Sequence, residues 1–169
     1  MSDVARRVAR YRVRLGFPSA AAALWLAHPT RGSLAAGALV ACVGEGLRIW
    51  AAGHLEKGRE VTASGPYRFT RHPLYLGSTI IGVGFAIGSA SVSAAIVVLG
   101  YLAITLTSAM QGEEAHLTEK FGAAYPEYRE GRAPIGRRRF SLRRATTNRE
   151  YRAVAGLALV LALLWWKIL

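Results

Sequence analysis

The chain has 169 residues, of which 52% are hydrophobic and 19% are charged, and its mean hydropathy is positive. So much apolar surface exceeds what a small soluble domain buries, which excludes an ordinary water-soluble fold and favours a membrane protein. The net charge of +12 is compatible with nucleic-acid binding, because Arg and Lys neutralise phosphates, but the position of these charges argues against that function.

The apolar residues form blocks with almost no charge, as in membrane-spanning helices. The first block contains Pro18 and is short for a full span, so an interfacial helix and a signal-peptide core are both alternatives. Cleavage is not expected, because bulky Trp25 lies two residues before Ala27, the only suitable small residue. In chain order the blocks are 15–28, 32–53, 74–110 and 153–166.

The third block is too long for one span of about 20 residues, and small residues at 88–91 suit a tight reversal. We therefore predict an all-α integral membrane bundle of about five transmembrane helices, with a short central helical hairpin. A cytoplasmic cap is expected over 113–152. The whole chain, 1–169, is predicted to be one domain.

The basic residues are concentrated in three hydrophilic segments. Of 22 Lys and Arg residues, 5 lie in 1–15, 4 in 53–73 and 10 in 111–152. If the N-terminus is cytoplasmic, counting the spans places all three segments in the cytoplasm, as the positive-inside rule expects. The charge therefore indicates topology and contact with anionic headgroups, predicted for Arg137, Arg138, Arg139, Arg143 and Arg144, and no nucleic-acid partner.

Several residues that often mark other chemistry have structural explanations here. Cys42 is the only cysteine, which excludes a disulfide framework or a cysteine-based zinc site, and it is predicted to be a small buried residue. No metal site is predicted. Gly84 with Gly88, and Ser78 with Gly82, have the spacing of closely packed membrane helices, and no strand precedes them as in a nucleotide-binding turn.

The first polar motif is GPYRFTRHPLYLG, residues 65–77. Pro66 and Pro73 restrict a short loop, and Pro73 suits the first turn of a helix. Arg71 and His72 would then lie at a helix N-terminus, whose free N–H groups favour a carboxylate. A basic juxtamembrane loop anchored by its tyrosines is an equally good interpretation.

The second polar motif, EEAHLTEKFGAAYPEYREGRAP, covers residues 113–134. Glu113 and Glu114 directly follow an apolar span, and with Tyr125 or Tyr128 they would suit a cation such as a sulfonium or ammonium. The alternative is that the two glutamates begin a solvated surface helix with the tyrosines on its apolar side.

Together the two motifs resemble those of the isoprenylcysteine carboxyl methyltransferase and phospholipid methyltransferase superfamily. The stretch Leu47–Gly53 is similar to the helix that precedes them there, and the likeness covers about residues 37–136. An Arg-rich link and a further helix at about 152–169 are additions. The resemblance implies an S-adenosylmethionine-dependent methyltransferase with its cofactor at the cytoplasmic ends of the hairpin.

Carried over by motif, the cofactor site would comprise Tyr67, His72, Pro73, Tyr75, Leu76, Gly77, Glu113, Tyr125 and Tyr128. The substrate side would comprise Arg68, Glu114 and Arg132. One departure concerns the acceptor: the carboxyl methyltransferase branch is expected to carry an Arg shortly before the paired glutamates, whereas this chain has Ala109-Met110-Gln111-Gly112. Isoprenylcysteine is therefore not the expected substrate.

Two further sets of titratable residues remain. Glu45 and Arg48 are spaced i and i+3 inside an apolar block, where they can pair, and we interpret them as structural. His54 and His116 lie near membrane boundaries and receive no role.

The predicted function is methyl transfer from S-adenosylmethionine to an apolar or lipid-like acceptor. The sequence leaves the acceptor and the oligomeric state open. A membrane reductase that uses a nicotinamide cofactor and a non-catalytic lipid-binding scaffold are the alternatives.

Overall fold

A computed structural model describes residues 3–132, 134 and 136–169, with side chains from Leu15 onward. Over these residues the chain forms seven α-helices and one 3₁₀ turn, Gly65–Arg68, which confirms the all-α prediction. The helices are α1 (Asp3–Leu26), α2 (Arg31–Ala52), α3 (Pro73–Ser89), α4 (Val92–Phe121), α5 (Ala124–Arg129), α6 (Leu142–Thr147) and α7 (Tyr151–Trp166).

Two helices, α2 and α4, are long and apolar enough to span a membrane. Shorter apolar helical stretches are Leu15–Leu26 of α1, α3 and α7, so the count of five spans stays a prediction. Many large apolar side chains point outward, among them Phe17, Trp25, Leu39, Val92 and Trp166. An apolar outer surface of this kind suits lipid as the surrounding solvent. Cys42 also lies on this surface and is exposed, so its predicted burial is wrong.

Helix α1 is longer than its apolar block. It begins at Asp3 and continues through Pro18 to Leu26, so the block 15–28 is the second half of a helix that starts in the basic segment. Its basic side chains at positions 6 to 14 lie outside the described side chains. Helix α1 packs mainly along α4.

Helices α2 and α3 approach closely because glycines face each other across their contact. A Cβ on Gly84 would lie 2.6 Å from the Gly37 carbonyl oxygen, and one on Gly77 would lie 2.7 Å from that of Gly44. The predicted packing role of Gly84 is thus confirmed, and its partner is on α2. Gly82 faces Leu102 of α4 instead.

Helices α3 and α4 form the predicted hairpin. The chain reverses at Ala90, which has φ 47, and Ser91 accepts a hydrogen bond from the Ala94 N–H (3.3 Å) to begin α4. Helix α4 then continues past the apolar block to Phe121, and Gly122 at φ 53 ends it. Glu113 and Glu114 therefore lie on the continuation of the second hairpin helix, and the cytoplasmic placement of 113–152 stays a prediction.

The Arg-rich link closes the polar end of α2. Arg144 Nε donates to the Gly53 carbonyl (2.9 Å), and Asn148 Nδ2 donates to those of Ala52 (2.9 Å) and Leu55 (3.0 Å). These side chains satisfy carbonyls that a helix end leaves free. Arg138 donates to the His54 carbonyl and pairs with Glu60, so it and Arg144 have internal partners. Contact with anionic headgroups stays a prediction for Arg137, Arg139 and Arg143, whose side chains are exposed.

Candidate cofactor site

A polar cavity of about 600 Å³ lies where α3 begins and α4 leaves its apolar section. Its walls come from the loop 55–62, the 3₁₀ turn, the first turn of α3, the second half of α4, and α5. Both sequence motifs therefore meet at one cavity. Its charged and aromatic lining residues are Glu56, Lys57, Glu60, Tyr67, Arg71, His72, Tyr75, Glu113, His116, Lys120, Tyr125 and Tyr128.

The start of α3 faces this cavity. His72 is the N-cap residue and Pro73 occupies the first turn, as its fixed φ favours. The His72 side chain makes no capping hydrogen bond. The positive end of the α3 dipole therefore lies at the cavity wall, where it favours an anionic group.

The two adjacent glutamates have different surroundings, because consecutive helix residues point about 100° apart. Glu114 Oε1 is 2.9 Å from Arg71 Nη1 and 3.0 Å from His72 Nε2, which ties the loop before α3 to α4. Glu113 lines the cavity, and its Oε2 lies 4.0 Å from His72 Nδ1, too far for a hydrogen bond. The Glu113 carboxylate is therefore available to a positively charged ligand.

Three tyrosines, Tyr67, Tyr125 and Tyr128, line the cavity. Tyr128 donates a hydrogen bond of 2.6 Å to the Tyr67 carbonyl. Burial raises the pKa of Tyr128 to about 12. Burial, and next the charge of Glu113, also raise the pKa of Tyr67. Both phenols consequently stay protonated at neutral pH.

The Tyr125 hydroxyl is the polar atom that the fold leaves unsatisfied at this site. Tyr125 is only 2% exposed, and its buried oxygen has no hydrogen-bond partner among the residues that the structure describes. Burial is the main cause of its raised pKa. A buried hydroxyl without a partner is unfavourable, so its position against the cavity is consistent with a bound group that completes it.

The structure brings together seven of the nine predicted cofactor residues. Tyr67, His72, Pro73, Tyr75, Glu113, Tyr125 and Tyr128 line the cavity. Leu76 is 46% exposed on another face of α3, and Gly77 packs against Gly44.

The three predicted substrate residues lie outside the cavity lining. Glu114 is bound to Arg71 and His72 at its edge. Arg68 lines a separate surface depression with Trp50, His54 and Arg137. Arg132 is exposed and pairs with Glu130.

Sequence reasoning missed two parts of the lining. The loop 55–62 has no recognisable motif. The face of α4 formed by Ser108, Ala109, Gly112, His116, Leu117 and Lys120 was missed because the apolar block 74–110 does not indicate that α4 continues to Phe121. These positions recur at helical spacing with Glu113, and that periodicity is the signal that would have found them.

Glu45 and Arg48 form an ion pair, but not an isolated one. Arg48 Nε is 3.7 Å from Glu45 Oε2 and donates a 2.7 Å hydrogen bond to Glu150, at the start of α7. The other Arg48 bonds go to the Leu74 carbonyl and the Ser78 hydroxyl on α3. The expected i,i+3 pair is therefore part of a cluster that joins α2, α3 and α7, which local spacing did not predict.

His54 has a structural position. It is 5% exposed, its Nδ1 lies 2.9 Å from the Trp50 carbonyl, and its ring packs against Gly65 and Phe140. His116, in contrast, lines the polar cavity.

Comparison with known proteins supports the resemblance drawn from the two motifs. Residues 46–124 match the phospholipid methyltransferase family, which confirms the superfamily over that segment. No curated protein and no solved structure matches the chain significantly. The family is one of S-adenosylmethionine-dependent methyltransferases that act on lipid substrates. The matched segment contains His72, Tyr75 and Glu113, and ends before Tyr125.

Proposed function

We propose that this chain, whose residues 46–124 belong to the phospholipid methyltransferase family, binds S-adenosylmethionine in the polar cavity and transfers its methyl group to a lipid-like acceptor. The observation that carries the proposal is the convergence of three complementary groups on one cavity. They are the Glu113 carboxylate, the uncapped start of α3 and the unpartnered Tyr125 hydroxyl.

These groups match the charges of the cofactor. Glu113 would hold the cationic ammonium or sulfonium through a charge-assisted contact, and the N–H groups of α3 would bind the methionine carboxylate. The Tyr125 hydroxyl would donate to a further polar group. His72 and Tyr75, whose ring centroids lie 5.6 Å apart, would provide an aromatic wall against the cofactor.

The cofactor supplies a methyl carbon already activated by its sulfonium. The protein therefore needs to align an acceptor with it and keep water out, rather than provide a nucleophile of its own. We assign Glu114 a positioning role, because it holds Arg71 and His72 in place through bonds of 2.9 and 3.0 Å.

The direct test is calorimetric titration of the purified protein in detergent with S-adenosylhomocysteine. Glu113→Gln and His72→Ala are expected to weaken binding about tenfold or more, since hydrogen bonds to charged groups contribute roughly 1.5–3 kcal/mol. Glu119→Gln is the matched control, because Glu119 is exposed on the same helix and lies outside the cavity lining.

The reduced nicotinamide cofactor serves as a parallel ligand. Saturable binding of S-adenosylhomocysteine alone supports the methyltransferase. Binding of the nicotinamide alone, or wild-type affinity in both site variants, would contradict the proposal.

A further inference from the structure

A second cavity, of about 390 Å³, lies among the apolar parts of the helices. Residues of α1, α2, α3, α4 and α7 line it, and nearly all of them are aliphatic, aromatic or small. A volume of this size is typical of a small-ligand pocket. Because the family match ends at residue 124, the wall contributed by α7 lies outside the matched segment.

One acidic side chain on α2 lines this apolar cavity. Glu45 is 5% exposed, and neither carboxylate oxygen accepts a hydrogen bond from the described residues. Arg48 Nε lies 3.7 Å from it, but Arg48 gives its hydrogen bonds to Glu150, Leu74 and Ser78. A buried carboxylate without hydrogen-bond donors is unfavourable, so a donor from a ligand would stabilise it.

The charged groups around Glu45 determine which kind of hydrogen-bond donor would bind there. Two carboxylates, Glu45 and Glu150, share the single guanidinium of Arg48. Among the described residues that line the cavity, Arg48 is the only cation. Because Arg48 gives its hydrogen bond to Glu150 and lies farther from Glu45, the Glu45 carboxylate is incompletely neutralised, and a cationic head group would stabilise its charge better than a neutral or anionic one.

We propose that this cavity is a second ligand site, which binds a single-chain amphiphile with a protonated amine head. The ammonium contacts Glu45, and the alkyl chain lies among α1, α4 and α7. A zwitterionic phospholipid head fits less well, because its phosphate finds no free cation among the described lining residues. The site is distinct from the polar cavity, because the two linings share no residue. The two cavities are neighbours, since Leu74 of the polar cavity contacts Arg48 and Ser78 of the apolar one.

The head-group assignment is tested by binding of dodecylamine, dodecanol, dodecanoate and an ethanolamine lysophospholipid to the detergent-purified full chain. Dodecylamine is expected to bind at least tenfold more tightly than the other three. Glu45→Gln should remove most of that preference, whereas Glu119→Gln, at an exposed glutamate outside this cavity, should keep it. Equal affinity for dodecylamine in wild type and Glu45→Gln, or tighter binding of the lysophospholipid, would overturn the assignment.

The cavity itself is tested with a matched pair of glycine variants. Neither Gly156, which lines the cavity, nor Gly100, which does not, has an atom within 4 Å of an added Cβ. Gly156→Leu should therefore block dodecylamine by occupying the cavity, while Gly100→Leu should not. Dodecylamine binding unchanged in Gly156→Leu would place the ligand elsewhere.

Binding of S-adenosylhomocysteine is measured in the same samples and is expected to be unchanged by Glu45→Gln and Gly156→Leu. Retained cofactor binding with loss of dodecylamine supports two separate sites. Loss of both ligands in a variant that keeps the wild-type melting temperature would overturn the separation of the two sites. Because the two ligands are scored independently, failure of this proposal is distinguishable from failure of the proposed function.

Discussion

At the residue scale, the contact between Tyr128 and Tyr67 decides how α5 covers the polar cavity. The Tyr128 hydroxyl joins α5 to the 3₁₀ turn through one hydrogen bond of 2.6 Å. Both tyrosines line the cavity, and Tyr125 lies on the same short helix. A helix of six residues is not stable by itself, so its position depends on such tertiary contacts.

Tyr128→Phe is expected to weaken binding of S-adenosylhomocysteine about fivefold, because loss of a neutral hydrogen bond costs roughly 1 kcal/mol. Calorimetric titration checks this, with Tyr151→Phe, at an exposed tyrosine on α7, as the control. An unchanged affinity in Tyr128→Phe would show that α5 is held by its other contacts.

The raised pKa of Tyr128 also fixes the pH dependence of this bond. Since the folded-state pKa of Tyr128, about 12, exceeds the ordinary tyrosine value of 10.0, the contribution of the hydrogen bond is complete below pH 10 and is lost as the pH rises through about 12. Between pH 7 and pH 9 this contact should therefore not change the affinity of the wild-type protein.

At the element scale, the contact between α2 and α3 positions the start of α3 and hence the cofactor site. Gly84 of α3 meets Gly37 and Ala41 of α2. Small residues are what allow two membrane helices to pack so closely. The glycine seam is thus part of the framework of the site although it lies outside the cavity.

Gly84→Ala is expected to lower the free energy of unfolding by about 1–3 kcal/mol, because its Cβ would lie 2.6 Å from backbone atoms that cannot move independently. Gly46→Ala is the matched control: it is on α2 and its Cβ meets nothing within 4 Å. The control should be neutral or slightly stabilising. Thermal unfolding in detergent compares them, and equal melting temperatures would contradict the close approach.

The sequence predicted the hairpin and the two motifs that meet at the polar cavity, and the reasons are local. Prolines fixed the start of α3, and small residues marked the reversal near Ala90. The full length of α4 was not predicted, because a loss of hydrophobicity shows where a helix leaves the apolar region and not where the helix ends. The bond between Arg48 and Glu150 was not predictable, since 102 residues separate them and no periodicity relates them.

At the scale of the whole molecule, contacts far apart in sequence define two ends of the bundle. At one end the His28 N–H donates to the Ser89 carbonyl (2.8 Å), and Lys167 Nζ donates to the Ala27 carbonyl (2.6 Å). At the other end lie the polar cavity and the Arg-rich link. The basic segments 53–73 and 111–152 gather at that second end, as the positive-inside rule expects of a cytoplasmic face.

This arrangement makes α7 the decisive helix for the number of spans. With 16 residues it is about 24 Å long, slightly less than the roughly 30 Å of a bilayer core. Its first residue lies beside the Arg-rich link and its last near Lys167, so it runs from one end of the bundle to the other. We therefore expect α7 to cross the membrane.

Single-cysteine labelling with a membrane-impermeant maleimide tests that crossing in a Cys42→Ser background. Arg143→Cys and Leu169→Cys place one exposed thiol beyond each end of α7. Arg143→Cys should react only in inverted vesicles and Leu169→Cys only in right-side-out vesicles, because α7 separates the two positions. If both cysteines react from the same side, α7 does not cross the membrane. The contact between Glu150 and Arg48 would then form without a crossing by α7.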